Sequence, residues 1–181
     1  MRRITSLIVI ALVFTTLPIM AQKGWIDVTD SYVTNPRFEN DDLSGWEGTA
    51  WGAYQPRENA EHYQRTYDTY QNLTGLTPGR YRLSLSAFYR SGDARNDYFN
   101  YTSGDPESSQ IAFLYAISTE DEQYTPIALA SSAALSESLG GGVSGVGTGL
   151  VIPNNMEAAY YWFAAGYYKN TLQCEVGEDG V

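Results

Sequence analysis

The sequence predicts an all-β protein with one short helix, arranged as a β-sandwich, and three observations carry that prediction. From Tyr81 onward, Tyr81, Leu83, Leu85, Ala87 and Tyr89 alternate with Arg82, Ser84, Ser86, Phe88 and Arg90. A period of two with β-forming residues at alternate positions means a strand with one face on a core. Before it, Pro78-Gly79 supplies a turn, because Pro presets φ and Gly tolerates positive φ. Tyr67–Arg90 therefore reads as two strands joined in a hairpin. Further on, Ile111–Ser118 and Tyr124–Ala130 are apolar runs of strand length on either side of the acidic turn Glu120-Asp121-Glu122.

The chain opens with a targeting segment, residues 1–21. Arg2 and Arg3 form a positive end, Ile4–Leu17 an apolar stretch, and small Ala21 precedes the expected cut before Gln22. That is the pattern of a Sec signal peptide, too short and poorly flanked for a membrane span. No Cys follows the cut, so a lipoprotein anchor is not expected. The mature chain, residues 22–181, is expected to be secreted or at the cell surface, with no membrane insertion once the signal is removed. Its roughly 160 residues are enough for one domain with a single sizeable core.

Of the whole chain, 11 residues are basic and 21 acidic, for a net charge of −10. Losing Arg2 and Arg3 leaves 9 against 21, a net of −12. Such a surface repels nucleic acid and anionic membranes, which excludes both as expected partners. Cys174 is the single cysteine, so no internal disulfide can form. In the strand-like run around it, a buried inert thiol is the expectation. A catalytic Cys would also want a nearby base, and His62 is the only histidine.

The remaining elements follow in order. Trp25–Val33 is expected to be the entry strand, followed by a turn at Asn35-Pro36. Phe38 and Trp46 bracket a polar loop at 40–45, with Trp46 expected in the core. Residues 50–57 form a loop carrying Trp51 and Tyr54, and Glu61–Tyr70 resumes strand character. After Arg90 the periodicity is lost, and residues 91–109, rich in Gly, Asp, Asn, Pro and Ser, predict a long surface loop. Ser131–Gly149 is expected to be a flexible connection. Its Gly145-x-Gly147-x-Gly149 lacks the lysine of a phosphate-binding loop. Then Asn154 or Asn155 caps a short helix with Glu157 in its first turn and Gly166 just past its end. Helical spacing puts Met156, Tyr160 and Phe163 on one side of it, covering an end of the sandwich. Thr171–Val176 is a strand, and Glu178-Asp179-Gly180 a tight turn of the kind that announces a partner strand. The chain is thus expected to be an incomplete module of a longer polypeptide, with the Thr171–Val176 strand lacking a neighbour on one side.

Three stretches, NPRFENDDLSGW (Asn35–Trp46), YDTYQNLTGLTPGRYRLSLSAFYR (Tyr67–Arg90) and VIPNNMEAAYYWFAAGYYKNTLQCEVGEDG (Val151–Gly180), span most of the mature chain. Together they resemble the galactose-binding-like jelly rolls, in particular carbohydrate-binding modules of the 4/9/22 type found in secreted Bacteroidetes proteins. The resemblance implies a jelly-roll β-sandwich that binds a glycan or polysaccharide without chemistry, attached to downstream domains of the same polypeptide. It also implies a structural calcium beside the first motif, with Glu39 as the matching ligand and Asp41 next to it. The closing strand, whose Asp completes that site in related modules, is absent here, and calcium takes six to eight oxygens.

A sugar site needs flat aromatic faces and a few polar groups that fix hydroxyls. With 15 Tyr and 4 Trp, aromatic residues are abundant. Trp51 and Tyr54 lie in a loop with little apolar company and are candidates for a stacking platform. Phe88 and Arg90, sharing the polar face of their strand with Arg82, suit a concave binding sheet; a covering loop over Phe88 explains it equally well. Tyr98 and Tyr101, with Asn96 and Asp97 beside them, are further candidates. No motif selects a catalytic pair among the acids, so no enzyme activity is expected. The alternative to glycan binding is a structural or adhesive spacer with no ligand site, and a glycoside hydrolase is a remote third.

Overall fold

The computed structural model describes residues 10–12, 24–39, 43–49, 52–54, 58–104 and 111–178. In chain order the strands are β1 (Ile10–Leu12), β2 (Ile26–Asp27), β3 (Glu47–Gly48), β4 (Gly52–Tyr54), β5 (Asn59–Glu61), β6 (Thr69–Tyr70), β7 (Gly79–Ser86), β8 (Phe88–Tyr89), β9 (Phe113–Ile117), β10 (Glu122–Pro126), β11 (Ala128–Leu129), β12 (Val143–Gly145), β13 (Val151–Pro153) and β14 (Lys169–Val176). Three helices, α1 (Thr29–Tyr32), α2 (Ala94–Ser103) and α3 (Met156–Ala164), join them, with a 3-10 turn at Ala130–Ala133. Strand residues outnumber helical ones, 34% to 20%, which makes the chain β-rich.

The centre is the sheet β14-β7-β1-β2. Along β7 the alternation predicted from sequence holds: Tyr81, Leu83 and Leu85 are buried, while the residues between them are not. β14 runs antiparallel to β7 over its whole length, with Leu172 opposite Leu83 and Cys174 opposite Tyr81. Because facing residues in such a pair share a side of the sheet, Leu172 and Val176 join Tyr81, Leu83 and Leu85 in one core cluster. The β9–β10 hairpin closes over it with Ala112, Leu114 and Ile127. The predicted acidic turn joins these two strands, with Ser118 N–H donating to the Asp121 carbonyl at 2.8 Å. Among the described residues the strand paired with β14 is β7, while Glu175 N–H of β14 donates to Asp121 Oδ2 and Asn170 Oδ1 accepts from Ala128 N–H. β1, inside the predicted signal segment, lies antiparallel to both β7 and β2.

A second core lies at the end of the sheet. Trp162 and Ala158 of α3 pack with Tyr168, while Ala94 of α2 packs with Ala130, Val146 and Ile152. Phe88 belongs to both groups. The cap and stop of α3 are those read from sequence. Asn155 Oδ1 accepts from Ala158 N–H at 2.8 Å, and Gly166 (φ 87°) ends the helix. Gly166 N–H reaches Phe163 O and Tyr167 N–H reaches Trp162 O, the paired bonds of a Schellman stop.

Five expectations are corrected. The Trp25–Val33 strand shortens to Ile26–Asp27, because Asp27 Oδ1 accepts from both the backbone N–H and the hydroxyl of Thr29 and turns the chain into α1. The arms either side of Pro78-Gly79 do not pair: β6 joins β3, with Tyr70 opposite Glu47. The long loop after Arg90 contains α2. Asp93 caps it, accepting from the N–H groups of Arg95 and Asn96 at 2.9 and 3.0 Å, and Gly104 ends it at φ 71°. The glycine-rich connection is the β12–β13 hairpin, preceded by Gly141, where a Cβ would lie 2.5 Å from Ala158 N. Glycine is needed there for close approach to the start of α3, not for flexibility. Finally, α3 buries Ala158, Ala159 and Trp162, and Tyr160 is exposed.

Candidate functional site

Of the residues singled out from sequence, Phe88 and Tyr98 pack against one core group and Arg90 reaches the residue ahead of α3. Phe88 is half-buried, with ring centroids 4.8 Å from Tyr168 and 5.8 Å from Phe163. Of the two readings open from sequence, the ring is the covered one, under neighbouring aromatic side chains. β7 stops at Ser86, Ala87 N–H donates to Tyr168 O at 3.0 Å, and Phe88 starts a parallel pairing with β11. The alternation is therefore reset at Ala87. Arg90 Nη1 donates to Asn154 Oδ1, just ahead of α3. Tyr98 leans on the second core from α2, and Tyr101 on the same helix is exposed. Tyr54 stands in β4 opposite Asn59, whose Nδ2 donates to Met156 O at 2.7 Å. The β4–β5 hairpin and Arg90 thus both reach the start of α3. Trp51 and Asp41 lie outside the described residues.

Of Glu39 and Asp41, the two residues matched to a calcium site, Glu39 is described. Its backbone N–H donates to Asn35 Oδ1 at 3.0 Å, and its exposed carboxylate lies 3.7 Å from Arg37. Among the described residues no group of three or more His, Cys, Asp or Glu is placed to hold a metal ion. Nearby, Phe38 is buried against Trp46 with ring centroids 5.4 Å apart, and Trp46 Nε1 donates to Asn35 O at 3.1 Å. That arrangement closes the first motif on the core, as expected for Trp46.

Among the described residues, an aromatic surface lies on the outer face of the β9–β10 hairpin. Leu114 points into the core with no exposure, so Phe113, Tyr115 and Ile117 point outward. The register puts Pro126 beside Phe113, Tyr124 beside Tyr115 and Glu122 beside Ile117. Tyr124 is 48% and Ile117 55% exposed, so this face presents flat apolar surface to solvent. The Tyr115 and Tyr124 rings lie 6.0 Å apart at 39°.

Each phenol is tied to a carboxylate. Tyr115 OH donates to Asp68 Oδ1 at 3.0 Å, and Tyr124 OH donates to Glu122 Oε1. Asp68 is held in turn: its N–H donates to Thr49 Oγ1 at 3.0 Å and its carbonyl accepts from Thr49 N–H at 2.6 Å. Burial, and then the Asp68 carboxylate accepting its hydrogen bond, push the Tyr115 hydroxyl well above the usual phenol range. It therefore stays a donor to Asp68 at any physiological pH. Tyrosine-carboxylate pairs beside an aromatic face offer stacking surface and acceptors for hydroxyl groups. The sequence signal for it was available: Tyr115 lies two residues before the end of β9 and Tyr124 two residues after the start of β10, positions an antiparallel hairpin sets opposite each other.

Two other titratable groups are settled by burial. Cys174, half-buried beneath Tyr81, has its thiol pushed up to about 11, first by burial and then by Asp121, so it is not a nucleophile at neutral pH. His62 stacks on Tyr67, centroids 4.3 Å apart at 2°. Thr69 Oγ1 donates to Thr49 O, so His62 Nε2 is the donor in its 2.8 Å contact with Thr69 Oγ1. Burial, then Arg65, lowers the imidazole to about 4. Between that value and the ordinary 6.5, the unfolded chain binds a proton that the folded one refuses, so stability is lost as the pH drops through this window. We expect the difference in melting temperature between pH 7.5 and 5 to shrink in His62→Asn. An equal difference in both proteins would show that His62 is not responsible.

Among the described residues no helix is long and apolar enough to cross a membrane. Comparison with protein-family models, with curated proteins and with solved structures finds no match for this chain.

Proposed function

We propose that this chain is a non-catalytic glycan-binding module with a jelly-roll β-sandwich fold, carried by a larger secreted or surface protein. The observation that supports it best is the Tyr115–Tyr124 pair on a sheet surface, with Tyr124 exposed and Tyr115 partly buried, flanked by Asp68 and Glu122. A folded domain gains nothing in stability by leaving such rings in water, whereas a sugar ring stacks on them and its hydroxyls donate to the carboxylates. A spacer that only positions neighbouring domains would have no use for that arrangement. Binding of this kind falls in the micromolar to millimolar range, about −4 to −8 kcal/mol, and its use is to hold an attached domain on its polysaccharide. Export with cleavage after Ala21 would also withdraw β1 and leave β7 bonded through β14 alone.

The test is a glycan array probed with the wild-type chain and with Tyr115→Ala, Tyr124→Ala and Trp51→Ala. The expected result is binding at least tenfold weaker in the two tyrosine variants, with their circular dichroism unchanged. Loss only in Trp51→Ala would move the site to the 50–57 loop. A blank array across plant, host and microbial glycans would favour the spacer, and turnover of a chromogenic glycoside would favour the hydrolase.

A further inference from the structure

We propose that the outer face of the β7–β14 sheet docks an extended acidic peptide, with Arg82 as its anchor. This face is the reverse of the one that packs against the β9–β10 hairpin, so the inference stands apart from glycan binding by that hairpin. Along β7, Tyr81, Leu83 and Leu85 enter the core, which turns Arg82, Ser84 and Ser86 outward. The register sets Gln173 beside Arg82, Thr171 beside Ser84 and Lys169 beside Ser86.

Two positive charges on this face are unopposed. The Glu175 carboxylate is taken by Arg80, whose Nε lies 3.8 Å away. Among the described residues neither Arg82 nor Lys169 pairs with a carboxylate. The Arg82 guanidinium carbon lies 4.7 Å from the centroid of the Trp25 ring, a cation–π contact that orients the group. Its Nε is buried and has no hydrogen-bond partner among the described residues. A buried donor left unpaired is costly, and a carboxylate meeting a guanidinium edge accepts from two N–H groups at once.

The spacing points to a polymer. Lys169 stands four residue steps along the sheet from Arg82, about 13–14 Å. A single carboxylate cannot span that distance. An extended peptide with acidic side chains at i and i+4 does, because its own rise per residue is that of a strand. The Ser84 and Thr171 hydroxyls, 3.2 Å apart, lie between the two charges and offer donors and acceptors to such a chain. A sugar chain fits the face less well, since Arg82 covers one side of the Trp25 ring and the neighbouring side chains present no flat apolar surface. The net charge of −10 opposes an acidic ligand at a distance, but that field is screened beyond about 8 Å at physiological salt, where contact charges dominate.

Fluorescence anisotropy of the full chain at physiological salt tests the site, with a labelled Ser/Thr-rich peptide carrying two Glu four positions apart. It is expected to bind roughly tenfold tighter than the same peptide with Gln at both positions. A peptide with its two Glu three apart should bind as weakly as the Gln peptide, because its carboxylates fall on opposite sides of an extended chain. Arg82→Gln should weaken the best peptide roughly tenfold and Arg82→Lys should restore only part of the loss. Lys169→Gln should weaken it about threefold; being at an exposed position, it keeps the test decisive should the Arg82 variants unfold. Equal binding of the Glu and Gln peptides, or binding unchanged in Lys169→Gln, would overturn the site. Polygalacturonate held more tightly than the peptide, and lost in Arg82→Gln, would make the occupant an anionic polysaccharide and overturn the peptide assignment.

Discussion

Replacing Trp162 by alanine is expected to destabilise the protein by about 3–5 kcal/mol, the range for emptying a buried aromatic site. Trp162 has no exposure, and its Nε1 donates to Ala133 O at 3.1 Å. The substitution therefore opens a cavity and also takes the donor from the Ala133 carbonyl. For a domain of this size each kcal/mol moves the midpoint by about 2–4 °C, so the melting temperature should drop by roughly 6–20 °C. Far-UV circular dichroism during heating measures it. Tyr160→Ala, two residues away on the exposed side of α3, is the control and should change stability by no more than about 0.5 kcal/mol. A Trp162→Ala protein that melts with the wild type would mean that the second core contributes nothing to the cooperative unit.

Asp97→Ala should be nearly as damaging, for a polar reason. The Asp97 carboxylate is wholly buried. One oxygen accepts from Ser91 N–H at 2.9 Å, and the other from Ser131 N–H at 3.0 Å and Ser131 Oγ at 2.6 Å. It thereby pins α2 to the segment after β8 and to the 3-10 turn. Removing it takes the acceptor from the buried Ser131 N–H and the partly buried Ser91 N–H, and a stranded donor costs about 1–3 kcal/mol, so a loss of roughly 2–5 kcal/mol is expected in chemical denaturation. Asp97→Asn preserves the shape but turns one acceptor into a donor facing donors, and should lose a comparable amount. Full stability in Asp97→Asn would show that acceptor count at this position does not matter.

Neither residue stood out in the chain alone. Asp97 lies in a polar stretch that reads as loop, and its acidic neighbour Asp93 gives the better local signal, as the cap of α2. That cap and Gly104 were legible start and stop marks, masked by a composition rich in loop-forming residues. Trp162 sits in a run, Ala158–Phe163, apolar on every side, so helical spacing could not choose its buried face. The face was decided by Gly141, which lets the preceding segment close over Ala158. For Phe88, alternation left an exposed and a covered position both open. The break at Ala87 comes from a bond to Tyr168, more than eighty residues later.

The sequence by itself determined the strand character and inward residues of β7, the β9–β10 hairpin, the run of β14, and both ends of α3. These follow from side-chain alternation, turn chemistry and capping, which act over a few residues. Only the tertiary structure decided that β6 pairs with β3, that Phe88 belongs to a core, and that Asp68 meets Tyr115 across 47 positions of chain. Those outcomes depend on which faces bury the most apolar surface against one another, a property of the assembled elements and not of any one of them.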